Sequence, residues 1–155
     1  YGDHRDLHLS IRRQRQMCIR DSLMIMHITQ EIIMRGIMPI SEIDKCKDWI
    51  EGALKYSGGT HDYADIIRGI KQNKMQLWPA KDACLVTEII TFPKLKCLNV
   101  FLGGGNLETL KDMHDSVEAF GKMMGCKKVT ISGRKGWVRV FKGFKPLHQT
   151  IVKEI

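Results

Sequence analysis

At Lys74 the spacing of apolar residues changes from every third or fourth position to every second, and it reverts after Gly105. That switch constrains the fold more than any other feature, because period 3.6 buries one face of a helix and period two one face of a strand. Ahead of it, Ser41-Glu42-Ile43-Asp44 reads as a capping-box start, and Ile43, Cys46, Ile50 and Leu54 then share one helical face. Ser57-Gly58-Gly59 ends that helix, and Thr60 is placed to cap a second one that buries Tyr63, Ile66, Ile67 and Ile70. Residues 75–78 form a strand that stops at Pro79, and residues 84–92 form the clearest strand of the chain. Pro93-Lys94 turns the chain so that residues 95–102 return antiparallel and run into Gly103-Gly104-Gly105. Asn106 caps a long helix with Leu107, Leu110, His114, Val117, Gly121 and Met124 spaced for burial, and Gly125 is the left-handed stop. Residues 127–132 read as a short strand, Trp137 to Phe141 as a brief helix, and residues 147–152 as a last strand. The order α–α–β–β–β–α–β–α–β predicts a mixed α/β fold on one central sheet.

Residues 1–22 stand apart. Back-translated, residues 1–8 match the flow-cell end of a common sequencing adapter, and residues 12–22 match a tagmentation primer in the same frame and order. The expectation is a library-derived, unstructured appendage at 1–22, an undecided segment at 23–40 and a single domain over 41–155. The Met-rich residues 24–38 fit a helix or a strand, and Met24, Met26, Met34 and Met38 are all candidate starts. Removing the five Arg and three Asp of residues 1–22 lowers the net charge from +8 to +6. That balance favours acidic partners in general terms only. The 43% apolar and 27% charged content excludes a disordered chain. No run reaches the roughly 18 apolar residues of a membrane-spanning helix. Cys18, Cys46, Cys84, Cys97 and Cys126 include no CxxC pair, which argues for buried thiols in a reducing compartment rather than a disulfide framework or zinc cluster.

Three groups carry the chemistry. Strand–Gly103-Gly104-Gly105–helix can bring free backbone N–H groups and a helix N-terminus close to a phosphate, or it can be a tight turn. It is neither a dinucleotide fingerprint nor a Walker loop. Alternation sets Glu88 on one strand face with Cys84, Val86, Ile90 and Phe92. A carboxylate among apolar neighbours is costly unless paired, so Glu88 is a candidate general base, the alternatives being an ion pair or a solvated face. Gly133-Arg134-Lys135-Gly136-Trp137 can hold a phosphate or base, or form a solvated turn with Trp137 in the core. His114 reads as a core residue and His61 as a local group at a helix cap, neither with a partner at metal-ligand spacing.

From Met75 onward the chain resembles the Gcn5-related N-acetyltransferase (GNAT) superfamily. Three antiparallel strands lead into a glycine loop and long helix, then a strand, and a short helix closing on Gly143-Phe144. The resemblance implies a mixed, mostly antiparallel central sheet with helices on both faces. It also implies that Leu102, Gly103, Gly104, Gly105 and Asn106 bind the pyrophosphate of acetyl-CoA, with Arg134 as a further cofactor contact and no metal. Gly58-Gly59-Thr60-His61, Met75-Gln76-Leu77-Trp78-Pro79, Val86-Thr87-Glu88-Ile89, Gly103-Gly104, Gly125-Cys126 and Gly133-Arg134-Lys135-Gly136-Trp137 are similar to a group of small phage-encoded proteins with this fold. Two departures stand out: Val100-Phe101-Leu102 leads the glycines without Arg or Gln, and no Tyr lies between Arg134 and Phe144.

The resemblance implies either of two functions. One is an acyltransferase moving an acetyl group from acetyl-CoA to an amine, with Glu88 taking the amine proton. The other is a non-catalytic phage protein, virion-associated or acting on the host. The expected setting is the host cytoplasm or the virion, with an amine acceptor or virion proteins as partners and neither nucleic acid nor membrane among them.

Overall fold

The structure, a computed structural model, describes residues 40–133, 136–147 and 151–153. The expectations for residues 1–39, for Arg134 and Lys135 and for residues 148–150 lie outside that set.

Helix α1 (Ile40–Lys45) and helix α2 (Lys47–Leu54) form one arm interrupted at Cys46, which keeps helical backbone angles. Ile43, Cys46 and Ile50 are buried along it and Leu54 is half-buried, matching the expected face. Ser41 lies inside the first turn rather than ahead of it, so it is not the cap the sequence suggested. Helix α3 (Tyr63–Lys71) is capped by Asp62, not Thr60. The Asp62 carboxylate accepts the Asp65 N–H at 2.8 Å and the Asp65 carboxylate accepts the Asp62 N–H at 3.1 Å. Aspartate satisfies the first-turn donors as Thr would and adds negative charge at the positive end of the helix. Thr60 instead donates to the Ser57 carbonyl at 3.1 Å.

Four strands then form one sheet in chain order: β1 (Met75–Pro79), β2 (Ala83–Thr91), β3 (Lys96–Gly105) and β4 (Lys128–Ile131). The first three pair antiparallel and β4 pairs parallel to β3. Between β3 and β4 run helix α4 (Leu107–Asp112) and helix α5 (His114–Met123), which meet at Met113. Helix α6 (Trp137–Val140) closes the described order. Leu110, Val117, Phe120 and Gly121 are buried on α4 and α5, whereas Leu107 and Met124, expected inside, are 40% and 39% exposed because they sit where the helices end. Gly125 adopts φ +77°, the left-handed stop. The described residues of the expected last strand, Leu147, Ile151 and Val152, are exposed and not in strand.

Both faces of the sheet are covered. On one, Ile43, Ile50 and Ile66 from the first three helices meet Leu77, Val86 and Leu102. On the other, Leu110, Val117 and Phe120 meet Trp78, Leu85, Leu98 and Val100. Each such side chain stabilises the fold by about 1.5–3 kcal/mol relative to exposure, so the sheet needs both layers.

Strand β3 contains an irregularity that re-aims its C-terminal half. Val86 faces Leu102 across the ladder, and the next residue of β2, Thr87, faces Val100. Phe101 is the extra residue of a bulge. Side chains of β3 therefore change faces there: Leu98 and Val100 enter the second core, and Leu102 enters the first.

Candidate functional site

Pairing between β3 and β4 runs from Cys97–Lys128 to Val100–Ile131 and stops. Beyond it β3 continues along β2 to Gly105 while the chain after Ile131 turns away toward α6, so the two parallel strands part. The parting opens a half-open cleft of about 450 Å3, its mouth included. Its walls are mostly apolar, among them Leu85, Val100, Leu110, Val117, Ile131 and Trp137, with His114 and Ser132 supplying an imidazole and a hydroxyl. Trp137 and Phe141 lie 5.6 Å apart between ring centroids, and His114 meets Phe141 at 5.9 Å and Phe144 at 5.3 Å. Of this aromatic cluster, His114, Trp137 and Phe141 line the cleft. The imidazole Nε2 lies 3.6 Å from Glu118 Oε2, and Lys122 donates to Glu118 Oε1 at 2.7 Å, holding that carboxyl below its ordinary value.

The three glycines are not an open bend. All belong to β3 and pair with β2: Gly103 with Leu85, Gly104 with Cys84 and Gly105 with Ala83. A Cβ on Gly104 would come within 2.6 Å of the Trp49 carbonyl oxygen, and one on Gly105 within 2.3 Å of the Asp82 carbonyl oxygen. Gly105 also holds φ +101°, a conformation side chains rarely adopt. Gly103 alone of the three lines the cleft, where a Cβ would meet only Leu85 Cδ2 at 3.0 Å and Leu110 at 4.0 Å. Asn106 is the cap of α4 as expected, its Oδ1 accepting the N–H groups of Glu108 at 2.9 Å and Thr109 at 3.4 Å.

Glu88 stands on the sheet face that carries Cys84 and Val86 and is half-buried. Among the described residues its partner is an amide rather than a cation. Asn99 Nδ2 donates to Glu88 Oε1 at 2.8 Å, and Asn99 Oδ1 accepts from Thr130 Oγ1 at 3.0 Å and Ser132 Oγ at 3.4 Å. Asn99 is 5% exposed, so a buried amide crosses three strands and links Glu88 to Ser132 at the cleft. Sequence reasoning missed Asn99 and Ser132, and it placed His114 in the core rather than on the cleft wall. The only available signal was a polar residue within an otherwise apolar β3, Cys-Leu-Asn-Val-Phe-Leu.

The remaining candidates are structural. His61 packs edge-on against Phe101 at 4.8 Å, and its Nδ1 lies 2.9 Å from Thr60 Oγ1. Cys46, Cys84 and Cys97 are buried. A hydrogen bond between the Cys46 and Cys84 thiols holds Cys46 below its ordinary value and, with burial, pushes Cys84 well above it. Among the described residues no group of three or more His, Cys, Asp or Glu is placed to hold a metal, and no helix is long and apolar enough to cross a membrane.

No protein-family model matches the sequence, and no curated protein does. Among solved structures, a GNAT family acetyltransferase from Staphylococcus aureus matches with a TM-score of 0.50 and 13% identity, over 76% of this chain and 95% of that one. Wild-type TTHA1254 from Thermus thermophilus matches at 13% identity and a TM-score of 0.46, over 61% of this chain and 79% of that one. At such identity the likeness to the acetyltransferase concerns the fold: this chain has a GNAT-like fold.

Proposed function

We propose that this chain is a GNAT-like acyltransferase that moves an acetyl group from acetyl-CoA to an amine. The parting of β3 and β4 after Val100 and Ile131 carries the reading, because it leaves an apolar slot beside a strand edge that is unpaired among the described residues. A pantetheine arm alternates amides with short apolar links. Its amides can bond the free edge of β3 from Phe101 to Gly103 as an added strand would, while Leu85, Leu110 and Val117 exclude water from its links. Bound acetyl-CoA supplies the activated acyl carbon.

Glu88 takes the proton of the incoming amine, directly or through a water, as the nitrogen–carbon bond forms and the carbon–sulfur bond breaks. Asn99 keeps the Glu88 carboxylate fixed through its amide donor. With no Tyr between Arg134 and Phe144, Ser132 is the cleft hydroxyl available to hydrogen-bond the departing thiolate, which takes its proton from solvent. Of the donor contacts the resemblance implies, Leu102 and Gly103 line the slot and are kept. Gly104, Gly105 and Asn106 are engaged by Trp49, Asp82 and the first amides of α4, and Arg134 stays a proposed contact outside the described residues. Heating the full chain with and without acetyl-CoA tests the reading. At a hundredfold excess over the dissociation constant a specific ligand adds about 2.7 kcal/mol, and an unchanged midpoint at millimolar acetyl-CoA refutes it.

A second reading keeps the fold without turnover, as a phage-encoded virion-associated or host-interaction protein. The missing Tyr and the self-bonded start of α4 favour it. It predicts that neither thioester nor free CoA changes the melting midpoint.

A further inference from the structure

The start of the helix after β3 is occupied by the chain itself. Asn106 Oδ1 takes the amides of Glu108 and Thr109, and the Asn106 N–H donates to the Asp82 carbonyl at 3.0 Å. Thr109 Oγ1 donates to Asp82 Oδ1 at 2.7 Å, which fixes a carboxylate at the same end. Gly104 and Gly105 turn their backbones into the ladder with β2 and back onto Trp49 and Asp82. A diphosphate arriving here would have to displace the Asn106 side chain and sit beside a negative charge that repels it. The slot between β3 and β4, by contrast, is apolar and bordered by a strand edge that no described residue pairs.

Resting on the acyltransferase reading, we infer that the donor is recognised by its acyl-pantetheine arm rather than by its diphosphate. The substrate class is then the thioesters of pantetheine as a whole, whether the arm ends in a free hydroxyl, a phosphate or a larger carrier. The transfer is the same for all of them. The amine nitrogen bonds to the acyl carbon, the carbon–sulfur bond breaks, Glu88 receives the amine proton, and the pantetheine thiolate leaves and is protonated. Nothing beyond the arm takes part in that balance.

Titration calorimetry on the full chain with acetyl-CoA, acetyl-pantetheine and ADP tests the inference. Acetyl-pantetheine should bind within about threefold of acetyl-CoA and ADP should give no heat. An acetyl-CoA advantage of about a hundredfold or more, or binding of ADP alone, overturns the inference while leaving the acyltransferase reading standing. Failure of both thioesters to bind overturns the reading itself, and the inference with it. A substitution adds an independent check. Asp82→Ala removes the exposed carboxylate and should tighten acetyl-CoA several-fold without changing acetyl-pantetheine. An equal effect on both, or none on acetyl-CoA, counts against a diphosphate repelled by this end of the fold.

Discussion

The three consecutive glycines look alike in the sequence and differ in the fold, so replacing each by alanine should give three different outcomes. At Gly105 a new Cβ presses on the Asp82 carbonyl and on Ala83 Cα at 2.5 Å, and φ is +101°. A positive φ costs a side chain about 1–2 kcal/mol, and overpacking against backbone about 1–3 more. Gly105→Ala should therefore lose about 3–4 kcal/mol. At Gly104 the obstacle is again backbone, the Trp49 carbonyl, but the conformation is ordinary strand. The overpacking cost, less the ~0.5 kcal/mol gained from a stiffer unfolded chain, leaves a loss of about 1–2 kcal/mol. At Gly103 the Cβ meets the tips of Leu85 and Leu110, side chains that border open space and can turn aside. Gly103→Ala should hold stability within about 0.5 kcal/mol and weaken thioester binding by shallowing the slot. Urea unfolding monitored by tryptophan fluorescence reads the series, since Trp78 is buried in the core cluster that also holds Leu98 and Val100 of this strand. A Gly104→Ala variant as stable as Gly103→Ala, or Gly103→Ala as the worst of the three, would refute the assignment of separate roles.

Other outcomes rest on single contacts. Asn99→Ala removes the acceptor of two hydroxyls and the donor to Glu88, and urea unfolding should show a loss of about 2 kcal/mol; a loss below ~0.5 would mean that water replaces the amide. Tyr63 Oη is buried and has no hydrogen-bond partner among the described residues, so Tyr63→Phe should melt at the wild-type temperature or above it. Burial, then Asp44 and Glu51, push the Tyr63 phenol above its ordinary value of 10.0, so the stability tied to its protonated form is full below that pH and lost as pH rises through the folded value. Tyr63→Phe should blunt that alkaline loss. Asp62→Ala removes the cap of α3 and should cost about 1 kcal/mol in a thermal melt. The Asp62 N–H, helped by Arg68, holds the Asp65 carboxyl below its ordinary 3.8, a stabilisation present above that value and lost as pH falls through the folded one. Asp65→Asn should flatten the acid limb of the stability profile.

The first four strands, the antiparallel hairpin, the Asn106 cap and the Gly125 stop were legible because each depends on residues near in sequence: alternation, Pro93-Lys94, a side-chain acceptor, a positive φ. Helix caps were read less well, since Ser41, Thr60 and Asp62 are all competent acceptors and only the entry path of the chain selects among them. The bulge at Phe101 left no mark, because Val100, Phe101 and Leu102 are apolar in a strand covered on both sides, where alternation carries no information. Glu88 was found and its partner was not. Asn99 lies eleven residues away across a hairpin, and its hydroxyl donors Thr130 and Ser132 are more than thirty away, so no local pattern joins them. The glycines were read as one loop because a sequence shows the absence of a side chain and not what presses on the vacated place.

The bulge at Phe101 decides which way every later side chain of its strand points. Were the same residues paired straight, Leu102 would join Leu98 and Val100 on the slot face and fill the hollow, while Gly103 would turn toward Trp49. A strand lacking Phe101, on the other hand, would run regularly with Leu102 still opposite Val86 and Gly103 still opposite Leu85, so the hollow would survive. Parity, rather than residue type, therefore keeps this hollow unfilled. Any gap-free superposition of this stretch on an unbulged strand would put the leucine in the hollow and assign each glycine to the wrong side of the sheet.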